Sequence, residues 1–355
     1  MSATGNNRAF TLYAGPRAAT HVRKDGLRAQ DIACVPAAAG GPKGLALVPL
    51  DKWLFGEWLA QSPRVELIGA SIGAWRMYAA AQRDAVSALD RLAEGYLSQR
   101  FPYRANAQQV AAECRRFVRT VLEGTSVETL RPGARLAVIT ARARGVLHGT
   151  ASRTAFARAA LANAWARPRL AAHMERVLFT AGQSIFPAER FDAFGLARVA
   201  FAHNNLEDAL LASGSIPLVC EPVRNPAGAP RGDYWDGGLI DYHLLLPYRE
   251  LDGIVLYPHF VPHVTPGWLD KFLPWRAQPR SHPWLDNVLM VAPSHALLER
   301  LPNRKLPDRN DFYRYGREDE RRMRDWRRAV AECERFADEV AAWILKPDPS
   351  MLQQL

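Results

Sequence analysis

Residues 64 to 80, Arg-Val-Glu-Leu-Ile-Gly-Ala-Ser-Ile-Gly-Ala-Trp-Arg-Met-Tyr-Ala-Ala, constrain the fold of this chain more than any other stretch. Val65 to Ile68 read as a short buried strand, and helix formers begin at Ala74. Gly69-Ala70-Ser71-Ile72-Gly73 must therefore turn a strand into a helix within a few residues. Glycine suits positions 69 and 73 because so tight a turn leaves no room for side chains two residues either side of Ser71. The strain of the turn lifts the serine oxygen clear of the sheet. Five residues are few enough for this pattern to arise as an ordinary tight turn, so its meaning depends on what accompanies it.

A second such junction precedes it. Ile32 to Ala39 is a run of small apolar residues that reads as a central strand, and it leads into Gly40-Gly41-Pro42-Lys43-Gly44 and the apolar-periodic stretch Leu45 to Ala60. A glycine loop that closes a strand and opens a helix offers backbone N–H groups, backed by a helix dipole, to an anion in front of it. Gly40, Gly41, Lys43 and Gly44 are thus candidate oxyanion donors, with Gly41, Lys43 and Gly44 foremost. Pro42 has no N–H, and its fixed φ suits a first helical position. Pro49 should break or kink the helix that follows. The loop lacks the spacing of the common nucleotide-binding glycine motifs.

Further along, Ala9 to Ala14 is an edge-strand candidate, and Trp75–Gln99 and Gln108–Glu123 read as two amphipathic helices divided by a Phe101-Pro102-Tyr103 turn. Strand candidates at 136–141, 177–181 and 199–203 alternate with helices at 151–167 and 206–213, which predicts an α/β fold. Tyr234-Trp235-Asp236-Gly237-Gly238-Leu239 precedes what reads as a last strand, Ile254 to Tyr257. Residues 258 to 286 are rich in proline and aromatics without periodicity. They read as an irregular loop over the core, or as a lid or lipid-contact surface in which Trp268 and Trp275 sit near Lys271, Arg276 and Arg280. Residues 316 to 345 form a long helix with interleaved Arg and Glu/Asp. The expected organisation is an α/β core over 1–257, with residues 258–355 packed on it as an aromatic segment and a C-terminal helical extension.

Composition narrows the function classes. The net charge of +10 is carried almost wholly by arginine and favours anionic partners such as lipid headgroups, although an arginine-rich genome would produce the same balance. No nucleic-acid partner is expected. The four cysteines, at 34, 114, 220 and 333, form no C-x-x-C pair, which suggests free thiols in a reducing compartment. No signal-peptide pattern and no bilayer-length apolar run is present, so the expectation is a cytoplasmic protein with peripheral contact to anionic membrane.

The glycine loop at 40–44, the serine elbow at 69–73, the stretch Ala209 to Pro217 followed by Glu221-Pro222-Val223, and the Asp236-Gly237-Gly238 turn together resemble the patatin-like phospholipase family in order and spacing. The resemblance covers residues 32 to about 257. It implies a three-layer fold with a central, mainly parallel sheet flanked by helices. It also implies a Ser71–Asp236 dyad, an oxyanion loop over Gly40–Gly44, glycines 69, 73, 237 and 238 as structural parts of the site, lipid or other acyl-ester substrates, and no metal or cofactor. Pro42 and the segment beyond 258 depart from the pattern, which bears on donor geometry and on access of substrate.

The chemistry is arguable from the residues alone. A neutral serine hydroxyl is a poor nucleophile unless a base removes its proton as the bond forms, and Asp236 could do so if desolvation made it more basic. A turn aspartate can also simply cap its own backbone. Lys43 reads as a solvated loop lysine whose backbone matters more than its charge. Two other readings remain. One is a Ser-His-Asp esterase or thioesterase drawing on His243, His259, His263, His282 or His295; the other is a non-enzymatic lipid-binding protein on the same fold. His259 and His263 lie beside Pro258 and Pro262 with no third ligand evident, which speaks against a metal site.

Overall fold

The computed structural model describes residues 7–62, 64–102, 104–276 and 282–355. Tyr103 of the expected turn and Arg280 lie outside them, as do residues 1–6 of the polar stretch 1–7. Eleven strands among the described residues form one mixed, mostly parallel sheet. They are β1 (Phe10–Ala14), β2 (Ile32–Ala37), β3 (Glu66–Ala70), β4 (Arg135–Ala143), β5 (Met174–Ala181), β6 (Leu196–Ala200), β7 (Val223–Arg224), β8 (Asp233–Asp236), β9 (Ile254–Pro258), β10 (Val288–Pro293) and β11 (Leu352–Gln354). The flanking helices are α1 (Pro16–Asp25), α2 (Val48–Trp53), α3 (Ile72–Ala80), α4 (Ala85–Leu97), α5 (Ala107–Leu122), α6 (Arg153–Trp165), α7 (Leu206–Ser213), α8 (His295–Leu298), α9 (Asn310–Tyr315) and α10 (Asp319–Leu345). The result is the expected α/β architecture of a central sheet flanked by helices with a C-terminal helix.

The sheet order is β11-β1-β10-β9-β2-β3-β4-β5-β6, with β7 and β8 attached through β4. Strands β9 and β10 are buried along their whole length, which accounts for their continuous apolar runs in place of an alternating pattern. Strand β9 is not the last. Strand β10 follows it and pairs with it in parallel, and β10 also pairs antiparallel with β1, so residues beyond 258 supply the strand that joins β1 to the sheet. Nor is β1 at the edge, since β11 lies outside it.

The register of β4 brings the chemistry together. Its first half pairs with β3 as far as Ala70 opposite Ile139, and its second half pairs with β8 from Thr140 opposite Asp236. Strand β5 occupies the other edge of β4, so β3 and β8 meet end to end on this one. Ser71, the residue after β3, thereby meets Asp236, the last residue of β8. Strand β2 runs parallel beside β3, so the 40–44 loop emerges at the same end of the sheet, where open α/β sheets bind ligands.

The expected helix over 75–99 is two helices, α3 and α4. Gln82 forms a β-bridge with Leu130, and Arg131 N–H donates to Ala81 O at 2.9 Å, so residues 81–83 are drawn out of helical geometry. Asp84 then caps α4 by accepting from Ser87 N–H at 3.0 Å. The helical stretch expected over 45–60 is divided at Pro49, as its sequence predicts: a 3-10 helix, Gly41–Leu47, gives way to α2, and Pro49 sits in the first turn of α2, where a missing N–H costs nothing. In α10 the residues Met323, Trp326, Cys333, Phe336, Val340 and Trp343 face inward at helical spacing. Each large apolar side chain so buried contributes about 1.5–3 kcal/mol.

Residues 268–276 are not an irregular loop. They form two short 3-10 turns, Trp268–Phe272 and Pro274–Arg276, held by the buried carboxylate of Asp270. That carboxylate accepts from Asn163 Nδ2 at 2.9 Å, Arg167 Nη1 at 3.0 Å, Arg276 Nη1 at 2.9 Å and Gly267 N–H at 3.0 Å. A buried carboxylate is tolerated because all its acceptor sites are engaged by donors, two of them cationic. The turns are thus stapled to the C-terminal end of α6.

Candidate active site

Ser71 occupies the strand-to-helix turn with φ of 57° and ψ of −130°, a backbone conformation costly for a residue with a side chain. Two contacts maintain it. Its backbone N–H donates to Ser213 Oγ at 3.0 Å, and Ser213 Oγ donates in turn to Ile139 O at 2.7 Å. Gly69 and Gly73 permit the turn: a side-chain carbon on Gly69 would strike the backbone of Gly73, and one on Gly73 would strike Ala37 O. Helix α3 is fixed from behind by Arg76, whose guanidinium donates to both oxygens of Asp51 on α2 at 2.6 and 2.8 Å in full burial. The helix after the elbow and the helix after the glycine loop are therefore locked together.

Asp236 is buried, and its carboxylate accepts from Gly238 N–H at 2.7 Å while its own N–H donates to Ser215 O at 2.8 Å. Burial pushes the acid up from 3.8 to about 6, against the opposing influences of the Arg309 guanidinium, the Ser71 hydroxyl and the Gly238 N–H. The aspartate thus caps its own turn, as the plainer reading had it, and faces the serine as well. Gly237 packs against Ile139, and a side chain on Gly238 would come within 2.7 Å of Ala39 Cβ.

The two residues share a cavity of about 120 Å³ with Ala39, Gly40, Lys43, Gly238, Tyr242, Trp268, Lys271 and Arg309 among its walls. Of the candidate oxyanion residues, Gly40 and Lys43 reach this cavity. Gly41 lies beneath Arg309 with φ of 58°, and Gly44 packs against Ile72 and Arg76. Lys43 is half-buried rather than solvated; its ammonium stands 5.4 Å from the centre of the Phe260 ring. Burial, and then the neighbouring Lys271, lower its pKa.

No histidine among the described residues lines the cavity. His243 and His259 pack edge-to-face in the core with ring centres 4.4 Å apart, and burial lowers both pKa values. His263 stacks beyond His243, His282 sits against Trp284, and His295 is exposed beside Glu299. The cysteines are free, and Cys114 and Cys220, far apart along the chain, meet as neighbouring thiols. Their mutual hydrogen bond pushes the Cys114 thiol up and the Cys220 thiol down.

Sequence reasoning missed two residues at the site. Ser213 had no signal beyond its place in the 209–217 stretch. Arg309 lies in a polar turn ahead of α9 and carries no motif, yet it stands over Gly41 and beside Asp236. It forms no ion pair among the described residues. No helix among the described residues is long and apolar enough to cross a membrane. No family model matches this chain, and no curated protein matches it.

Proposed function

We propose that the protein is a serine acyl hydrolase acting on carboxylic esters of lipids, of the type its motifs resemble in the patatin-like phospholipases. The observation that carries this reading is a strained, buried serine sharing one cavity with a buried aspartate whose pKa stands near 6. At neutral pH Asp236 is ionised yet far more basic than an exposed carboxylate, which suits it to take the Ser71 proton as Oγ attacks the ester carbonyl. The protonated acid then returns that proton to the departing alkoxide. A water molecule, deprotonated by the same carboxylate, then attacks the acyl carbonyl; the bond to Ser71 Oγ breaks, Asp236 returns the proton to that oxygen, and the free acid leaves.

Negative charge developing on the carbonyl oxygen would face the Gly40 to Lys43 segment, where backbone N–H groups and the half-buried Lys43 ammonium supply positive potential. Lys43, Lys271 and Arg309 outweigh Asp236 and Asp308 among the cavity walls by a single charge, a mild bias toward esters with an anionic group near the scissile bond. The Ser-His-Asp alternative lacks a histidine within the cavity walls.

The deciding experiment incubates the protein with a mixed lipid extract beside a Ser71→Ala control and identifies released products, while a fluorophosphonate probe reports serine labelling. Fatty acid release and labelling that both vanish in the control support the hydrolase. An unlabelled protein that releases nothing yet retains lipid would favour a lipid carrier.

A further inference from the structure

Beside the catalytic cavity lies a second hollow that the ester chemistry leaves unused. It measures about 240 Å³ and is walled almost wholly by apolar groups, among them Phe156, Ala157 and Ala160 of α6, Met174 of β5, and Leu218. Pro217, Leu239 and Trp268 line both spaces, so the polar room around Ser71 and the apolar one adjoin across these three residues. The wall at Trp268 is fixed, because Asp270 staples its turn to α6. Alanines at 157 and 160 leave the space empty where larger side chains would fill it.

We propose that this hollow is the acyl-chain subsite and that its size directs the protein to esters of medium-chain acids. The inference rests on the acyl-hydrolase reading for the identity of its occupant. An acyl group bound to Ser71 would have its carbonyl in the polar cavity and its chain directed past Pro217, Leu239 and Trp268 into the adjoining apolar room. An apolar cavity of about 150 Å³ holds a six-carbon benzene ring, roughly 25 Å³ per carbon, so this one accommodates about nine or ten carbons. Each methylene removed from water strengthens binding about fourfold until the space is full; further carbons emerge into solvent and add nothing.

The test has two arms. In the first, kcat/KM is measured on 4-nitrophenyl esters from acetyl to palmitoyl. The wild type should peak between octanoyl and decanoyl, and Ala160→Trp should lower the octanoyl-to-acetyl ratio about tenfold or more. Ala157→Phe, at the rim of the hollow, should lower it in the same direction and guards against misfolding of the first variant. In the second arm, decanoate binding to Ser71→Ala is measured by calorimetry and should weaken about tenfold or more when Ala160→Trp is added. Natively melting variants with an unchanged ratio and unchanged decanoate affinity would overturn the subsite, as would failure of decanoate to bind at all. Decanoate binding that depends on Ala160, without hydrolysis of any ester, would instead overturn the hydrolase reading and leave the subsite standing.

Discussion

Ser213 Oγ sits between two strands' worth of chemistry: it accepts the backbone N–H of Ser71 at 3.0 Å and donates to Ile139 O at 2.7 Å. The hydroxyl thereby fixes the strained turn that carries the nucleophile to the middle of β4, where β3 gives way to β8. Ser213→Ala leaves a buried N–H without a partner, at a cost of about 1–3 kcal/mol. Denaturant unfolding should show that loss, ester turnover should fall with it, and Ser213→Thr should recover part of both. An alanine variant as stable and active as the wild type would mean the turn holds itself.

Ser71 and Asp236 should behave as one unit. Ser71→Ala and Asp236→Asn are each expected to remove most esterase activity, and the double variant should lose little more than either single one, because both serve the same proton transfer. Single-turnover kinetics on one soluble ester, with all three variants, decides it. Multiplying losses would separate the two residues.

The position of Asp236 also sets a pH dependence. The base works ionised, so kcat/KM should fall as pH drops through about 6. Arg309 lowers this pKa, so Arg309→Met should move the acid limb to higher pH and Arg309→Lys should move it part of the way back. A limb that stays in place in Arg309→Met would remove Arg309 from the electrostatics of the site.

The same acid bears on stability with a definite sign. Its folded pKa of about 6 exceeds the ordinary 3.8, so its contribution is most favourable below about 3.8 and is lost as pH rises through 6. Asp236→Asn should therefore melt higher than wild type at pH 7 to 8, by a difference on the order of 2–3 kcal/mol, and the advantage should vanish near pH 4. Equal melting at all pH values would place the carboxylate in a more solvated setting than the one described.

The aromatics of the 258–286 segment divide by position. Trp268 is a wall of the cavity, whereas Phe272 and Trp275, on the turns beside it, are 59% and 71% exposed. Exposed Leu218 and Val219 lie on the loop that forms another part of the same walls. In vesicle sedimentation, Phe272→Ala/Trp275→Ala should bind more weakly at every salt concentration, and wild type should prefer anionic vesicles mainly at low salt. Identical binding by both proteins would make these side chains ordinary surface.

The sequence by itself determined the α/β class, the limits of α7, the elbow at Ser71, the glycine loop and the Asp236 turn. Each is a contiguous stretch in which strand, tight turn and helix follow one another, so local steric rules and hydrophobic period suffice to read it. What only the tertiary structure decided depends on partners far apart along the chain. The Gln82 bridge to Leu130 splits a helix that looks continuous; β10 enters the sheet between β9 and β1; Asp270 finds Asn163 and Arg167 and so makes two fixed turns of a proline-rich stretch. Ser213 and Arg309 reach the site in the same way, one beneath the nucleophile and one beside its base. A serine in a helix end or an arginine in a polar turn has no local pattern to distinguish it, because its role is fixed by the group that long-range packing brings opposite.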